Sequence, residues 1–177
     1  MAFSLGGVSD KKATLPCPCG WRGHPRRPCV CTPPAVSRYL SRLSGPLLDR
    51  IDVQVEVESL PFAAWAGEGS ASRGEGSAEV RARVAAARAR QRERFAGADG
   101  AANARIPPGE LCRHCALDAG GLSLLEGAAR KLGLSARSLD RILRVALTIA
   151  DLEGAGAVAS RHLSEAVQYR SLDRLQP

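Results

Sequence analysis

The spacing of aliphatic residues in the C-terminal half constrains the fold of this chain more than any other feature. Between Ser135 and Gly154 the aliphatic side chains recur every three or four residues, at Leu139, Ile142, Leu143, Ala146, Ile149 and Ala150. This is the spacing of one apolar face of an α-helix, so it predicts a helix that packs against a core. Ser135 is a typical N-cap, and Gly154 with Gly156 predicts the end of the helix.

Further helices are predicted around this one, and together they indicate a small bundle of four or five helices. They run from about residue 78 to 96 after Ser77, from Pro108 to Cys115, from about 118 to Leu132, and from Ser160 onward. Gly133 follows the third at the C′ position, where glycine commonly ends helices. The inward faces are expected at Val80, Val84, Ala87 and Phe95 in the first, and at Leu163, Ala166 and Val167 in the last.

The first 60 residues predict a different organisation. Thr32 followed by two prolines begins a short helix, because proline fits the first helical turn. From Ile51 to Glu58 apolar and polar residues alternate, which is typical of a half-buried strand with Ile51, Val53, Val55 and Val57 inward. Residues 61–76 are rich in Gly, Ser and Glu and predict a flexible linker. Three regions follow: residues 1–60, 61–76 and 77–174.

Four cysteines lie in the N-terminal region as two C-x-C pairs, Cys17 with Cys19 and Cys29 with Cys31. Four of the nine residues between the pairs are glycine or proline, so the chain can fold back and gather four sulfurs. Zn²⁺ in structural sites takes four such ligands in a tetrahedron; the alternative is a set of inert or redox-active thiols. His24 is a possible substitute ligand, although a solvated loop histidine is favoured. Cys112 and Cys115, in C-R-H-C, are interpreted as small buried hydrophobic residues.

Net charge and hydropathy indicate the cellular location and the kinds of partner to expect. The formal net charge is +7, and of the 25 basic residues only three are lysine. Arginine suits phosphate and carboxylate partners, but the codon usage of a GC-rich genome would give the same bias. The sequence contains no apolar run of membrane-spanning length and no signal-peptide pattern at its N-terminus. A cytoplasmic protein without a membrane partner is therefore expected.

Two arginines occupy unusual positions. Arg50 lies between Asp49 and Asp52, where it is a solvated charge, a local ion pair or a cation for another molecule. Arg137 lies in the first turn of the helix that Ser135 caps. A cation is disfavoured at that positive end of the helix dipole, whereas an anionic ligand there would reverse the sign. A surface arginine remains the alternative.

Several segments, in order and spacing, resemble one family. They are CPCG followed by C-x-C, TPPAVSRYLSRLSGPLLDRIDVQVEV, SAEVRARVAAARARQRERF, LGLSARSLDRILRVALTIADLEG and HLSEAVQYR. Over about residues 16–174 the chain is similar to the C-terminal half of the magnesium-chelatase-like AAA+ ATPases, in their competence-associated branch. The resemblance implies an α-rich α/β fold: the C-terminal remnant of an AAA+ core, with one short strand and a Cys-rich loop, followed by an all-α helical lid.

The resemblance also implies roles that spacing and composition did not show. Arg50, in GPLLDR, matches the arginine finger that enters the neighbouring subunit's nucleotide site. Arg137, in LSAR, matches the sensor-2 arginine of the lid, and Cys17, Cys19, Cys29 and Cys31 match a four-cysteine insertion with possible zinc. The family's members are hexameric, bind ATP with Mg²⁺ and drive DNA branch migration in natural transformation, so homologous subunits and DNA are the implied partners.

The departures from the family are equally specific. The sequence contains no G-x-x-x-x-G-K-[ST] phosphate-binding loop and no apolar strand that ends in Asp-Glu. Leu15 stands where the family usually has an asparagine. A C-terminal piece of the ATPase, inactive alone, is therefore expected, through truncation, frameshift or a misplaced start. The alternatives are a stand-alone zinc-dependent DNA-binding module, which would use the cysteine loop and the arginines of residues 81–94, and a non-functional product.

Overall fold

The computed structural model describes residues 2–5, 9–12, 15–42, 50–55, 57, 62, 74–97 and 102–170. For residues 2–5 and 9–12 the description covers the backbone alone. The chain divides into two compact units, residues 1–45 and 46–177, and each is treated separately below. Residues 46–60 therefore fall in the same unit as the helices from residue 77 onward.

The N-terminal unit contains a hairpin, the cysteine loop and one helix. Strands β1 (Ala2–Leu5) and β2 (Ser9–Lys12) pair antiparallel with Ala2 opposite Lys12, a hairpin that the sequence patterns did not predict. Helix α1 runs from Pro33 to Leu40, with Thr32 at the N-cap and proline in the first turn, which confirms the predicted start. Its buried residue is Val36.

The second unit is helical, and its helices lie where the sequence predicted them. They are α2 (Ser77–Arg94), a 3₁₀ turn (Asn103–Arg105), α3 (Pro108–Cys115), α4 (Ala119–Leu132), α5 (Ala136–Glu153) and α6 (Ser160–Gln168). Among the described residues, every helix is too short or too polar to cross a lipid bilayer.

Helix α5 lies at the centre of the core. Five residues of its predicted apolar face are buried: Ile142, Leu143, Ala146, Ile149 and Ala150. The sixth, Leu139, is only partly buried against the core, and Leu147, which was not predicted, is buried as well. The same buried cluster takes in Leu111 and Cys115 of α3 and Leu163 and Ala166 of α6. Burial of aliphatic side chains on this scale contributes about 1.5–3 kcal/mol for each large residue, so the cluster is the main source of stability.

The ends of the central helices are fixed by local hydrogen bonds. Ser135 caps α5, because its Oγ accepts the Ser138 N–H at 3.1 Å. Asp118 caps α4, because its Oδ1 accepts the Gly121 N–H at 2.7 Å. Gly154 ends α5 with φ of 77°, a left-handed conformation that glycine adopts without strain. These caps set where α5 begins and therefore where its first-turn side chains lie.

The expected inward face of α2 is only partly correct. Ala87 is buried and Phe95 packs against the core, but Val80 and Val84 remain 37% and 45% exposed. The buried positions of α2 are Ala87 and Gln91, which lie on the same face two turns further along. The direction of the face was therefore predicted, but among the described residues only the C-terminal half of the helix has a neighbour that covers it.

A buried polar cluster joins α2 to α5. Asp151 on α5 accepts hydrogen bonds from Arg94 at 2.5 and 2.9 Å, from the Asn103 side chain at 2.8 Å and from Gln91 at 3.3 Å. Desolvation raises the pKa of Asp151, but the bonds from Arg94 and Asn103 outweigh it, and the net pKa is lowered. The cluster satisfies a carboxylate that would otherwise be costly to bury.

The predicted strand from Ile51 to Glu58 is not confirmed. Residues 51–55 and 57 form no strand, and Val53, Val55 and Val57 are 45%, 65% and 90% exposed. Gln54 is buried instead, and its N–H donates to the Tyr169 carbonyl at 2.9 Å. An alternating segment buries its apolar face only where a second sheet or helix covers that face, and none of the described residues does so here.

Asp151→Asn is expected to destabilise the helical unit at neutral pH by about 3 kcal/mol, because Arg94 loses its buried carboxylate partner. The native carboxyl has a lowered pKa, so it contributes stability above about pH 4, its unfolded value, and loses it as the pH falls through the folded value. The variant should show a smaller change of unfolding free energy between pH 5 and pH 2. Urea denaturation of both proteins over this range measures the difference.

Glu93→Gln is the control, since Glu93 is an exposed carboxylate on α2. It should leave the unfolding free energy within about 0.5 kcal/mol. Equal pH dependence of the native protein and Asp151→Asn would contradict the role given to Asp151.

Candidate functional site

The four N-terminal cysteines come together as one cluster. The Cys17 Sγ lies 3.4 Å from that of Cys19 and 3.7 Å from that of Cys29, and the Cys19 and Cys29 sulfurs are 3.6 Å apart. All four ligand atoms, including that of Cys31, lie within 4.8 Å of one another. A disulfide would need sulfurs about 2 Å apart, and all four are free thiols.

The loop reverses because of two glycines. Gly20 and Gly23 have φ of 79° and 80°, a left-handed conformation open to glycine at little cost. The Gly20 N–H donates to the Cys17 carbonyl at 3.0 Å, and the His24 N–H donates to the Trp21 carbonyl at 3.1 Å. Two successive turns therefore bring the second C-x-C pair back to the first.

Backbone amides point at the sulfurs and favour ionised thiols. The amides of Trp21 and Val30 lower the pKa of Cys19 to about 6. At Cys31 the Cys19 amide lowers the pKa, but desolvation and the other thiols outweigh it and raise the pKa to about 12. The four thiols therefore do not ionise equally, and a cation among them would be needed to stabilise four thiolates together.

The geometry fits a zinc ion. A tetrahedral site with Zn–S distances of about 2.3 Å places its sulfurs about 3.8 Å apart, close to the observed separations of 3.4–3.7 Å. Four thiolates with Zn²⁺ carry a net charge of −2, and the exposed Arg22, Arg26 and Arg27 of the same loop oppose it. A closed four-cysteine site is of the structural rather than the catalytic kind.

His24 forms hydrogen bonds and a ring contact within the loop. Its Nδ1 accepts the backbone N–H groups of Arg26 and Arg27 at 3.1 and 3.0 Å, and its ring packs edge-on against Trp21 with centroids 5.0 Å apart. The Arg27 guanidinium lies 4.4 Å from the Trp21 ring centroid. Among the described residues the ligand cluster contains the four cysteines and not His24.

The two cysteines of C-R-H-C lie in the C-terminal half of α3 and differ in their exposure to solvent. Cys115 is buried, and its S–H donates to the Leu143 carbonyl at 3.7 Å; Cys112 is exposed. Burial raises the pKa of Cys115 to about 11, so its thiolate is scarce at neutral pH. The interpretation as a small buried hydrophobic residue fits Cys115 but not Cys112.

Arg137 lies in the first turn of α5, one residue before Ser138. Its side chain is exposed, so the guanidinium is accessible to an outside anion. No acidic residue lies in that first turn. Free N–H groups and the positive end of the helix dipole favour an anion at this position.

Arg50 is exposed and begins a segment that is fastened to the ends of α5 and α6. The Ile51 carbonyl accepts a hydrogen bond of 2.5 Å from Arg170, and Asp52 forms an ion pair with Arg141 of α5. Asp52 is thereby paired with Arg141. Asp49 lies outside the described residues.

The structure thus gathers the four cysteines, and it attaches the Arg50 segment to the helix that carries Arg137. Sequence reasoning missed the residues that make this attachment: Ser138, Arg141 and Arg170. Arg170 donates to the Ile51 carbonyl and, at 3.3 Å, to the Ser138 Oγ, although it is fully buried. Only the Q-Y-R ending of α6 offered a signal, and a terminal arginine is ordinarily expected in solvent.

Comparison with known families matches most of the chain. Residues 74–170 match the family described as magnesium chelatase, subunit ChlI C-terminal, and residues 11–65 match magnesium chelatase, subunit ChlI. The first match covers all of the helices α2 to α6. The second covers the cysteine loop, α1 and Arg50.

Individual proteins are also similar to this chain over most of its length. The chain is 43% identical over 164 residues to the uncharacterized protein YifB of Salmonella typhimurium, covering 92% of this chain and 31% of YifB. It is 44% identical over 144 residues to the competence protein ComM of Haemophilus influenzae, covering 81% and 27%. It is 36% identical over 163 residues to the uncharacterized protein Rv2897c of Mycobacterium tuberculosis, covering 89% and 30%. The chain therefore spans about three-tenths of the length of these relatives.

The purified chain is expected to bind one Zn²⁺, and Cys19→Ser is expected to lose most of it, because a hydroxyl is a poor replacement for a thiolate ligand. Metal content after dialysis, measured by mass spectrometry, checks the stoichiometry. Cys112→Ser is the matched control, since Cys112 is an exposed thiol outside the cluster. Equal zinc content in both variants would reject the four-cysteine site.

Proposed function

Because the chain belongs to the magnesium-chelatase subunit ChlI family, and to its ComM and YifB type, we propose that it provides the arginine-bearing helical part of an AAA+ ATPase. The 177 residues contain no phosphate-binding loop, so the β- and γ-phosphates of ATP are held by sequence outside them. The observation that carries this proposal is that Arg50 and Arg137 are both exposed and that Arg170 forms hydrogen bonds with the residue directly after each of them, Ile51 and Ser138.

Arg50 is proposed as the arginine finger, and the finger acts on the nucleotide of a neighbouring subunit. Phosphoryl transfer spreads negative charge over the γ-phosphate oxygens, and a guanidinium stabilises that charge with two parallel donors. Exposure of Arg50 supports this role, because a finger must leave its own subunit. The aspartate closest to it in the described segment, Asp52, is already paired with Arg141, which leaves less local charge to hold the guanidinium back.

Arg137 is proposed as the sensor-2 residue, which contacts the nucleotide bound to its own subunit. At the first turn of α5, its guanidinium and the free N–H groups of the helix would face the same phosphate. An anion there relieves the unfavourable placement of a cation at the positive end of the helix dipole. This gives Arg137 a physical reason to be where it is.

The wider activity follows from the family. We propose hexameric assembly with homologous subunits, ATP turnover that depends on Mg²⁺, and use of that turnover for DNA branch migration in natural transformation. One relative, from Haemophilus influenzae, is named competence protein ComM, and this name supports a role connected with competence. The four cysteines would hold zinc as a structural element of the subunit.

Arg50→Ala is expected to lower ATP turnover about 10³-fold or more in an assembly that contains this chain and a homologous subunit with a phosphate-binding loop. Nucleotide affinity should change little, because the finger acts on the charge of the transition state. Steady-state turnover and fluorescent-nucleotide titration measure the two quantities.

The control for this experiment is Arg130→Ala, which removes an exposed arginine of α4 whose side chain is 80% accessible. It should leave turnover unchanged. Turnover at the native rate in Arg50→Ala would reject the finger role. Nucleotide binding lost together with turnover would reject it too, since that result indicates a general binding role.

A second function is favoured by one observation on the cysteine loop. Residues 15–42 contain five arginines and no aspartate or glutamate, and Arg27 and Arg42 lie over the rings of Trp21 and Tyr39 at 4.4 and 5.9 Å. Positive charge beside aromatic rings is typical of surfaces that bind single-stranded nucleic acid. A zinc-dependent nucleic-acid-binding loop is therefore the second candidate.

The triple variant of Arg22, Arg26 and Arg27 to alanine tests this candidate. Loss of three phosphate contacts should reduce the slope of log affinity against log salt by about 2 for a labelled single-stranded oligonucleotide. Fluorescence anisotropy measures the slope. The matched control replaces three exposed arginines of the helical unit that lie outside residues 81–94, Arg105, Arg113 and Arg130, with alanine. Equal slopes in the two triple variants would reject specific binding by the loop.

A further inference from the structure

Arg170, just after α6, is the largest fully buried side chain among the described residues. Its Nη1 donates to the Ile51 carbonyl at 2.5 Å, and its Nη2 donates to the Ser138 Oγ at 3.3 Å. Ile51 follows Arg50 directly, and Ser138 follows Arg137 directly. One guanidinium thus bridges the backbone next to one proposed catalytic arginine and the side chain next to the other.

Two further contacts fasten the same segment. The Gln54 N–H donates to the Tyr169 carbonyl at 2.9 Å, and Arg141 of α5 forms an ion pair with Asp52. Residues 51–54 are therefore held at three points, by the first two turns of α5 and by the end of α6. We call this set of contacts the latch.

Burial of a guanidinium is costly, and an apolar side chain of similar size would fill the same space without that cost. What an arginine offers instead is a rigid planar fork, whose donors fix two acceptors relative to each other. Here one acceptor is the backbone carbonyl of Ile51 and the other is the hydroxyl of Ser138 on α5. The guanidinium of Arg170 therefore holds the Ile51 carbonyl and the Ser138 hydroxyl at a fixed separation.

We propose that Arg170 is a positioning residue that sets Arg50 relative to Arg137, so that the two arginines move as one body. This rests on the proposed function, in which Arg50 serves the neighbouring subunit's nucleotide and Arg137 serves its own subunit's. A displacement of α5 by nucleotide at one site then shifts the finger at the next. A two-point hydrogen-bonded bridge is the kind of physical link that such coupling requires.

The first test measures the latch in the isolated chain by hydrogen–deuterium exchange. Arg170→Met keeps the length of the side chain and removes its donors. The Gln54 amide should then exchange about ten-fold faster or more, while the amides of 146–150 in the α5 core keep their native rates. Arg170→Lys, which retains one cationic donor group, should restore part of the protection, and Arg130→Met is the exposed control.

An unchanged Gln54 rate in Arg170→Met overturns the proposal. So does faster exchange of Gln54 and residues 146–150 together, because that result means general loosening of the core. If Arg170→Met fails to fold, Ser138→Ala decides. It removes the acceptor on α5 and the contact of the Ser138 hydroxyl with that of Ser135, but it keeps the cap bond from the Ser138 N–H to Ser135. Faster exchange confined to Gln54 in this variant supports the latch, and native exchange rejects it.

The second test measures positioning through turnover in the assembly with a homologous subunit that carries the phosphate-binding loop. Arg170→Met should lower kcat about 10- to 100-fold and leave KM within about two-fold, because a misplaced catalytic group affects the transition state. In the Arg50→Ala background it should have no further effect, since Arg170 acts through Arg50.

Independent, multiplying effects of Arg170→Met and Arg50→Ala on kcat overturn the positioning role. The two proposals fail differently. Native turnover in Arg50→Ala rejects the finger and with it the catalytic use of the latch, whatever the exchange rates are. If Gln54 exchanges at the native rate in Arg170→Met while Arg50→Ala has low turnover, the latch is rejected and the finger role stands.

Discussion

Burial of one face of α5 is the interaction on which the rest of the helical unit depends. The buried face of this helix joins the buried residues of α3 and α6 in one cluster. Its far end carries Asp151, which holds Arg94 of α2, and its first turn carries Arg137. Because the apolar contacts fix the rotation of the helix, they also fix the direction in which the exposed first-turn residues face. Stability and the proposed site are therefore set by the same helix.

Local signals in the sequence predicted the helices well and the burial of particular residues less well. Ser135, Asp118 and the glycines act through neighbours within four residues, so their effect can be inferred from sequence. Val80 and Val84 have the right spacing for a buried face but are not covered by any described residue, whereas Gln91, further along the same helix, is buried. Val53, Val55 and Val57 similarly alternate without a described neighbour to cover them. Burial depends on which elements meet, and spacing within one element does not specify that.

The candidate sites also differ in how far they could be predicted from the sequence. The clustering of Cys17, Cys19, Cys29 and Cys31 was predictable, because turn residues between two C-x-C pairs allow few other arrangements. The roles of Arg50 and Arg137 came from family resemblance, since a surface arginine has many uses and its position alone does not select one. Arg170 was missed altogether. A buried arginine looks the same in sequence as an exposed one, and its partners Ile51 and Ser138 are 119 and 32 residues away along the chain.

The chemistry of the side chains limits what the chain contributes to a reaction. A four-cysteine metal site has no open ligand position, so it stabilises a loop and does not activate a substrate. A guanidinium offers hydrogen-bond donors and no acceptor, so Arg50 and Arg137 are suited to hold anionic groups. What they can supply is fixed positive charge, whose value in phosphoryl transfer depends on where it is held when the transition state forms. For the proposed roles, placement is therefore the contribution to be explained. The contacts that bear on it in the described structure are the hydrogen bonds of the buried Arg170 with Ile51 and Ser138, together with the packing of α5 that keeps Ser138 within reach.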